Sequence, residues 1–450
     1  MTKERVQRAR DVDTEIKTLG KAKIPSKLSV CHFTEDDAKV LIQVTEEQMS
    51  NLGDDPVYLD FQLAGPRRNL YFDPAKTKCA IVTCGGLCPG VNDVIRAIVM
   101  EAHHSYGVAS VLGIRFGLEG FIPSYGHEIV ELTPEKVASS HQFGGTILGS
   151  SRGPQPAEDI VDALERMNVS CLFLIGGDGT MRAAGRIAEE IIARRLKISI
   201  IGIPKTIDND INFITQSFGF DTAVEKATEA IQCAHTEAVC AMNGIGVVKL
   251  MGRESGFIAA HATLALKEVN FVLVPETPFE LDGKDGVLNE LEERLRSRKH
   301  AVIVVAEGAG QHLLEYTGET DASGNPVLGD ISSLLIKRIK KHFGAKNVPI
   351  TIKFIDPSYI IRSVPANAND RVYCGFLGQH AVHAALAGKT GMVISRLQDR
   401  YVHLPLSLVT KERRKLNINS DYWRAVMEST GQNPIPGIFG PGEYCPTSDE

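Results

Sequence analysis

The sequence lacks several features that would assign it to common functional classes. Its 49 lysines and arginines do not outnumber its 55 aspartates and glutamates, and the net charge of −6 provides no basic footprint for nucleic acid. No apolar run reaches the roughly 18 residues of a membrane span. The charged start, residues 1–17, has no apolar signal-peptide core. These absences favour a cytoplasmic protein that binds small molecules, and neither nucleic acid nor a membrane.

The cysteine and aromatic residues do not point to any specialised class of protein. The nine cysteines form neither a CxxC motif nor a Cys/His cluster, so neither a zinc site nor a disulfide framework is indicated. Reduced structural thiols are the simpler interpretation. With 6% aromatic, 43% hydrophobic and 23% charged residues, the 450-residue chain has an ordinary globular composition. Its length predicts two or three domains.

The composition and the hydrophobic pattern of the chain change at about residue 77. Residues 1–76 are charged and turn-rich, which predicts an N-terminal extension or arm. Beyond them, continuous apolar runs, typical of strands covered on both faces, alternate with amphipathic helical patterns such as 91–104, 222–235 and 286–298. This alternation predicts a doubly wound α/β fold with mostly parallel sheets and helices on both faces. The predicted strands are 78–84, 109–114, 171–176, 198–203, 245–251, 271–276, 301–307 and 350–355.

Glycine and charge recur at one end of the predicted strands. Five runs end in such residues: CGGLCPG (84–90), IGGDGT (175–180), IPKTIDND (203–210), MGRESG (251–256) and AEG (306–308). One glycine-rich turn alone would be explained by chain reversal. Five at the carboxyl ends of strands indicate a composite ligand site, because ligands bind there in open α/β sheets.

Two of these loops suit phosphate. GGLCPG (85–90) follows a strand and opens a helix, so small residues and helix N–H groups can approach an anion, although the motif alone is weak. IGGDGT adds Asp178, which can reach magnesium, an ion that takes few protein carboxylates. The alternative role for Asp178 is a helix cap. GGLCPG is not GxGxxG, which weakens a dinucleotide interpretation.

The stretch PKTIDND (204–210) combines a cation, a hydroxyl and two carboxylates. On an extended segment, Asp208 and Asp210 would share a face. One carboxylate can take a proton from an attacking hydroxyl while the other holds a metal. Lys205 and Thr206 complete the groups that phosphoryl transfer requires. The alternative is an Asx-rich turn.

Other charged residues fall where an anionic ligand would need them. Arg152, Arg253 and Arg362 lie in predicted loops and offer forks for phosphate oxygens. Glu307 ends an apolar run, so we expect a cation or ligand hydroxyl beside it. The run ERRK (412–415) is interpreted as a solvated face.

In this order and spacing, the motifs resemble the 6-phosphofructokinase family. The resemblance covers residues 78–395 and includes GGLCPGVN, GGTILGSSRGP, GGDGT, PKTIDND, VVKLMGRESGFIA, VAEG and DPSYIIRS with NDR. The long N-terminal extension, SYIIR and Lys205 are similar to the plant- and protist-like branch. The resemblance implies two Rossmann-like domains around a cleft: a donor-binding domain at 77–242 and a sugar-phosphate domain at 243–395, followed by a C-terminal segment at 396–450.

The resemblance also implies a role for each matching residue. Asp208 is the implied general base for the 1-hydroxyl of fructose 6-phosphate, and Asp178 and Asp210 are the implied Mg²⁺ carboxylates. The implied catalytic set is Asp208, Lys205, Thr206, Asp210 and Arg253. The implied nucleotide side consists of Gly86, Arg152, Gly177, Asp178, Gly179 and Thr180. The implied sugar contacts are Thr206, Ile207, Asp208, Met251, Gly252, Arg253, Glu307, Tyr359 and Arg362.

The phosphoryl donor depends on a mixed signature. Pyrophosphate users resemble GGDD with PKTIDND, and many ATP users resemble GGDG with PGTIDND, whereas this chain has GGDG with PKTIDND. An Asp at position 179 would place a charge against the ATP α-phosphate, and Gly179 leaves that space open. The expectation is therefore ATP, with pyrophosphate as the alternative donor. Gly244 stands where the short bacterial enzymes carry an Arg, and Lys249 is a candidate substitute.

Three rival classes have weaker support in the sequence. NAD kinases and lipid kinases also use GGDGT but lack TIDND, MGR and YIIR in series. A catalytically silent sugar-phosphate or nucleotide sensor would be expected to lose its base, whereas Asp208 is present. A dehydrogenase would need the dinucleotide fingerprint, which is missing here. The resemblance also implies a homodimer or homotetramer.

Overall fold

The described residues form two compact units. The computed structural model describes residues 12–29, 32–42, 59–315, 318–321 and 324–432. Unit 1 contains the described residues up to Thr206 together with Ile211–Gly219 and Ser363–Arg413. Unit 2 contains Ile207–Asp210, Phe220–Arg362 and the described residues from Arg414 onward.

The helices and strands are numbered in chain order. The strands are β1 Ile24–Pro25, β2 Lys39–Leu41, β3 Asp60–Gln62, β4 Asn69–Leu70, β5 Lys78–Thr83, β6 Ser110–Ile114, β7 Ile129–Glu131, β8 Cys171–Gly176, β9 Ser199–Pro204, β10 Gly244–Leu250, β11 Phe271–Leu273, β12 His300–Ala306, β13 Thr351–Ile355, β14 Met392–Leu397 and β15 Arg400–Pro405. The α-helices are α1 Val91–Met100, α2 Pro134–Val137, α3 Ala157–Arg166, α4 Asp178–Ala193, α5 Phe220–Val239, α6 Phe257–Leu266, α7 Val287–Arg298, α8 Ile331–Ala345, α9 Ser358–Ser363, α10 Ala368–Leu386, α11 Leu406–Val409 and α12 Asp421–Thr430.

Unit 1 is built on a seven-stranded sheet. Its strand order is β15-β14-β9-β8-β5-β6-β7, with parallel pairing from β14 to β6 and antiparallel strands only at the two edges. Strand β8 is buried at every position, as expected for an apolar run covered on both faces. Helix α3 buries Ile160, Val161 and Leu164, the apolar stripe of an amphipathic helix, and packs against α4.

Unit 2 is built on a smaller, fully parallel sheet. Its four strands have the order β11-β12-β10-β13. Helices α5 and α6 pack against each other, and both contact β12. The predicted α/β class with mostly parallel sheets is confirmed in both units. None of the helices among the described residues has the length and apolarity needed to cross a bilayer.

The edge hairpin β14–β15 was not predicted. All eight predicted strands occur, within a few residues of their predicted bounds. The hairpin turns through Gln398 and Asp399, both with positive φ (48° and 63°), a conformation that such turns usually reach with Asn-Gly. The sequence therefore carried no recognisable hairpin signal at this position.

The described part of the N-terminal extension belongs to unit 1 and is bonded to later segments of that unit. The guanidinium of the buried Arg67 lies 3.0 Å from Oδ1 of Asp36. The ammonium of Lys389 lies 2.8 Å from the same oxygen. The backbone N–H of Tyr71 donates to the Leu386 carbonyl. Residues 1–11, 30–31, 43–58 and 433–450 lie outside the described residues. The predicted domain boundaries stay a prediction.

Candidate active site

The predicted phosphate loops of unit 1 follow three neighbouring strands. GGLCPG follows β5, GGDGT follows β8 and Lys205 follows β9, and these strands lie side by side in the order β9-β8-β5. Because the strands are parallel, the three loops lie at one edge of the sheet. After β5 the chain forms β6 on one side of β5 and then β8 on the opposite side of β5. The first two loops therefore flank the topological switch point, where α/β sheets bind ligands.

The GGLCPG loop is bonded to the loop that carries Arg152. The N–H of Gly85 donates to the Ser151 carbonyl at 3.0 Å, and the Ser150 hydroxyl donates to the Gly85 carbonyl at 2.6 Å. A guanidinium nitrogen of the exposed Arg152 lies 3.6 Å from the position of a Cβ on Gly86. The structure thus brings the predicted Arg152 and Gly86 together.

Gly90 requires glycine where this loop enters α1. Its φ is +99°, and a Cβ there would lie 2.6 Å from the Cys374 sulfur. Even alanine would therefore be strained at this position.

Lys205 is buried under the glycine-rich loop. It is only 7% exposed, and its N–H donates to the Gly176 carbonyl at 2.8 Å, which continues the pairing of β9 with β8. Its ammonium group donates to the Gly86 carbonyl. The ammonium group is therefore bonded to the first loop, while the backbone of Lys205 is bonded to the end of β8.

The GGDGT motif forms the start of α4. Gly177 is the N-cap, and Asp178 and Gly179 are the first residues of the helix. A Cβ on Gly176 would lie 2.2 Å from the Thr180 hydroxyl, so glycine is required there for close packing. At Gly179 a Cβ would meet no atom within 4 Å. The space that sequence reasoning assigned to a nucleotide phosphate is open within the described residues.

Two arginines that sequence analysis missed contact Asp178. Arg182, one turn further along α4, donates to Oδ2, and Arg413 lies 3.7 Å from the same oxygen. The interpretation of ERRK as a solvated face is wrong for its two arginines. Both are partly buried, and the next residue, Arg414, lies 4.6 Å above the Phe257 ring. The i, i+4 spacing signalled Arg182, whereas no local pattern signalled Arg413.

The segment that carries Asp208 and Asp210 is not extended. It bends at residues 207–208, and Asn209 has a φ of +56°. The premise that both carboxylates share a face of an extended strand is therefore wrong. The Ser255 hydroxyl donates to the Asp208 carbonyl at 3.1 Å, which ties TIDND to MGRESG within unit 2.

The predicted sugar-binding loops of unit 2 follow two paired parallel strands. MGRESG follows β10 and AEG follows β12. The N–H of Gly308 donates to the Gly252 carbonyl at 3.1 Å. A Cβ on Gly308 would lie 1.8 Å from the Arg253 carbonyl, and one on Gly252 would lie 2.4 Å from the Ser255 carbonyl. Glycine at both positions is what allows Met251, Arg253 and Glu307 to lie on adjoining loops.

Glu307 has the cationic neighbours that its sequence position predicted. Burial raises the pKa of Glu307, whereas the charges of Arg253, Lys249 and Arg362 act in the opposite direction. Arg362 lies with its guanidinium carbon 5.0 Å from the centre of the Tyr359 ring, and Tyr359 is 76% exposed. The carboxylate of Glu307 therefore lies among cations, as its sequence position predicted, although Lys249 and Arg253 also have acidic neighbours in Asp356 and Asp321.

Lys249 is paired across this edge of the sheet. Its ammonium lies 2.7 Å from Asp356, which follows β13. Burial acts to lower the pKa of Lys249, but the hydrogen bond and charge of Asp356 prevail and raise it. Lys249 is therefore a cation at neutral pH. At Gly244, a Cβ would lie 2.0 Å from the Ala238 carbonyl, so no arginine fits in its place.

Magnesium fits the chemistry of these residues. The described residues contain no group of three or more His, Cys, Asp or Glu side chains arranged for a metal. Mg²⁺ usually keeps several waters and binds one or two carboxylates together with substrate phosphates. Asp178 in unit 1 is a carboxylate of that kind, and so is Asp210 in unit 2. Each of them suits Mg²⁺ better than a metal that needs a full protein cage.

Fold and site together define an α/β phosphotransferase, with glycine-rich phosphate loops, buried and surface cations and candidate metal carboxylates at the carboxyl ends of parallel strands. The family model described as phosphofructokinase matches residues 78–385, more than half of the chain. The chain belongs to the phosphofructokinase family.

Similar proteins come from bacteria, plants and protists. The chain is 47% identical over 436 residues to the ATP-dependent 6-phosphofructokinase of Borreliella burgdorferi, covering 94% of this chain and 97% of that protein. It is 47% identical to ATP-dependent 6-phosphofructokinase 1 of Arabidopsis thaliana, covering 84% and 80%. It is 46% identical to the Trypanosoma cruzi ATP-dependent 6-phosphofructokinase, covering 82% and 76%. The predicted similarity to plant and protist members is confirmed.

A solved structure supports the fold. The pyrophosphate-dependent phosphofructokinase of Nitrosospira multiformis superposes with a TM-score of 0.66 at 19% identity, over 82% of this chain and 96% of that one. At this identity the likeness concerns the fold alone.

Proposed function

We propose that this protein transfers the γ-phosphoryl group of ATP to the 1-hydroxyl of fructose 6-phosphate, giving fructose 1,6-bisphosphate and ADP. One observation carries the proposal. Gly86, Asp178 and Lys205 follow three adjacent parallel strands at the switch point of unit 1, beside the open space at Gly179. The three relatives named above, all called ATP-dependent 6-phosphofructokinase, support it.

On the donor side, the loops bind the phosphates of the nucleotide. Gly86, Gly177 and Gly179 let the backbone approach them, and the start of α4, which includes Thr180, supplies oriented N–H groups. The ammonium group of Lys205 lies under the loop and neutralises charge on the transferring phosphate. The guanidinium of Arg152, on the adjacent loop, binds phosphate oxygens.

On the acceptor side, Asp208 is the general base. Its carboxylate takes the proton of the sugar 1-hydroxyl, the freed oxygen bonds to the γ-phosphorus, and the bond from that phosphorus to the β-phosphate oxygen breaks. Arg362 binds the 6-phosphate with Tyr359 beside it, and Glu307 accepts from a sugar hydroxyl. Thr206, Ile207, Met251, Gly252 and Arg253 complete the contacts.

Asp178 and Asp210 would hold magnesium. When bound, Mg²⁺ neutralises charge on the donor phosphates. Asp210 is 7% exposed, and its carbonyl accepts from the Arg414 N–H at 2.8 Å, which fixes its backbone.

The experiment is turnover of fructose 6-phosphate with Mg²⁺, comparing ATP and pyrophosphate, with Asp208→Ala and Asp208→Asn as controls. We expect turnover with ATP and none above a hundredth of that rate in either variant. Turnover with pyrophosphate alone would assign the donor to the alternative. Activity that survives both substitutions would remove Asp208 as the base.

A homodimer or homotetramer is part of this proposal, because closed symmetric oligomers predominate among soluble enzymes. Light scattering during gel filtration tests it, and a monomer at working concentration would contradict it. A cytoplasmic location also stays a prediction, since two relatives from Arabidopsis thaliana are named as chloroplastic.

A further inference from the structure

The carboxylate of Asp178 has two arginine neighbours in unit 1. Arg182 donates to its Oδ2 from one turn further along α4, and Arg413 lies 3.7 Å from the same oxygen. Arg182 is 53% exposed, whereas Arg413 is 24% exposed. The two cations are therefore held differently, and Arg413 comes from a part of the chain to which the proposed function assigns nothing.

The position of Arg413 is fixed by its surroundings. Helix α11, which precedes it, packs against α4, and Leu406 and Leu408 lie in the same hydrophobic core as Met181 of α4. The backbone of Arg413 forms an antiparallel bridge with Ile211. These contacts hold the base of the side chain beside the start of α4.

Metal binding at Asp178 would change the charge that faces Arg413. Mg²⁺ lies about 2.0–2.1 Å from its oxygen ligands and would replace a guanidinium on Oδ2. Two cations sharing one carboxylate repel each other unless an anion lies between them. The exposed Arg182 can turn toward solvent. Arg413, whose side chain is only 24% exposed, has less room to turn away and would stay close to a metal at Asp178. The anion that would reach this place with the metal is the nucleotide phosphate chain.

We infer that Arg413 is a phosphate-binding residue of the donor site. It pairs with Asp178 in the metal-free protein and binds the phosphate chain of the nucleotide when magnesium takes the carboxylate. A guanidinium suits this role because its planar fork binds two phosphate oxygens at once. The inference rests on the proposed function, since it takes Asp178 as a magnesium ligand.

A purely structural ion pair predicts a different outcome. Partly exposed ion pairs contribute little to stability, so loss of Arg413 would then leave both nucleotide binding and folding nearly unchanged. If Arg413 binds phosphate, its loss weakens binding of the metal–nucleotide complex and spares the sugar.

The test compares Arg413→Ala and Arg413→Lys with Arg424→Ala in the full chain. Arg424 lies on α12 in unit 2 and pairs with Asp421 at 2.9 Å, so its removal makes the same charge change elsewhere. Calorimetric titration gives the dissociation constant for MgATP without sugar, and for ATP in EDTA. Steady-state kinetics give KM for each substrate, and thermal melts report folding.

We expect Arg413→Ala to weaken MgATP binding about tenfold and ATP binding in EDTA less than threefold, with KM for fructose 6-phosphate within twofold of wild type. Arg413→Lys, which keeps the charge without the fork, should lie between wild type and alanine. Arg424→Ala should match wild type. Unchanged or tighter MgATP binding in Arg413→Ala, or an equal loss with and without metal, would overturn the inference. A wild-type protein that binds MgATP but does not phosphorylate the sugar would instead count against the proposed function.

Discussion

Replacement of Gly179 by aspartate tests why the protein should use ATP. Gly179 is an exposed residue in the first turn of α4, and a Cβ there meets no atom within 4 Å. The larger side chain therefore fits without displacing a neighbour. Replacing glycine within a helix is favourable, and a carboxylate in the first turn complements the helix dipole. We expect the midpoint of thermal unfolding to stay the same or rise slightly.

The expected loss of ATP use follows from charge. A carboxylate about 4 Å from a phosphate charge is disfavoured by about 1 kcal/mol in bulk water and about 4 kcal/mol near a protein surface. Since 1.36 kcal/mol corresponds to a factor of ten, the loss in kcat/KM lies between roughly fivefold and a thousandfold. Because residue 179 is exposed, water screens part of this repulsion. We therefore expect a loss of about ten- to a hundredfold.

The assay measures kcat/KM for ATP at saturating sugar and Mg²⁺ in Gly179→Asp and Gly179→Asn. Asparagine matches aspartate in size and carries no charge, so we expect Gly179→Asn to lose less than about threefold. A Gly179→Asp protein that keeps wild-type kcat/KM for ATP would refute the selector role. Equal losses of kcat/KM in both variants would refute the electrostatic basis of the selector role. They would indicate that the side chain at position 179 blocks ATP sterically.

Three further outcomes are expected. Asp208→Asn should lower kcat by about 10²- to 10⁴-fold with little change in KM for either substrate, because it removes a base and keeps the shape; a loss under tenfold in a coupled assay would contradict this. Lys249→Ala removes a cation that pairs with Asp356 and faces Glu307, so KM for fructose 6-phosphate should rise about tenfold while KM for ATP stays constant; an unchanged sugar KM would eliminate this role. Burial lowers the pKa of His383 in the folded protein to about 3. The unfolded chain binds a proton at this histidine below about pH 6.5, whereas the folded chain does not. The free energy of unfolding therefore falls by up to about 1.4 kcal/mol for each pH unit between about 6.5 and 3. His383→Gln, which still accepts from Tyr106, should reduce this slope between pH 7 and 5 in urea melts, and an unaltered slope would show that His383 does not titrate as described.

Much of the fold could be predicted because its central strands are defined by local composition. The continuous apolar run of β8 has no polar position, and the structure buries all six residues. Edge elements are harder to predict. Hairpin β14–β15 turns at Gln398–Asp399, which is not a typical turn pair. Its buried runs are only four residues long and include the polar residues Ser395 and His403, so they lack the continuous apolar pattern of β8.

The sequence predicted which residue types form the candidate site better than it predicted the contacts between them. Strand ends placed Gly86, Asp178 and Lys205 at one edge because parallel strands share that edge. The ion pair of Lys249 with Asp356 and the approach of Arg413 to Asp178 join residues far apart in the chain. Such pairs depend on tertiary packing, which no sequence period encodes.

The stretch PKTIDND shows what chain connectivity contributes to the proposed mechanism. The chain leaves unit 1 after Thr206 and enters unit 2 at Ile207. Lys205, the proposed phosphate cation, is thus in one unit and Asp208, the proposed base, in the other. Three residues span at most about 11 Å even when fully extended. The bend at 207–208 shortens this span further. Covalent geometry therefore keeps the backbone of the proposed phosphate cation within about 11 Å of the backbone of the proposed base. One short motif thus holds both proposed groups, while the residues proposed to bind only nucleotide or only sugar are spread over separate loops.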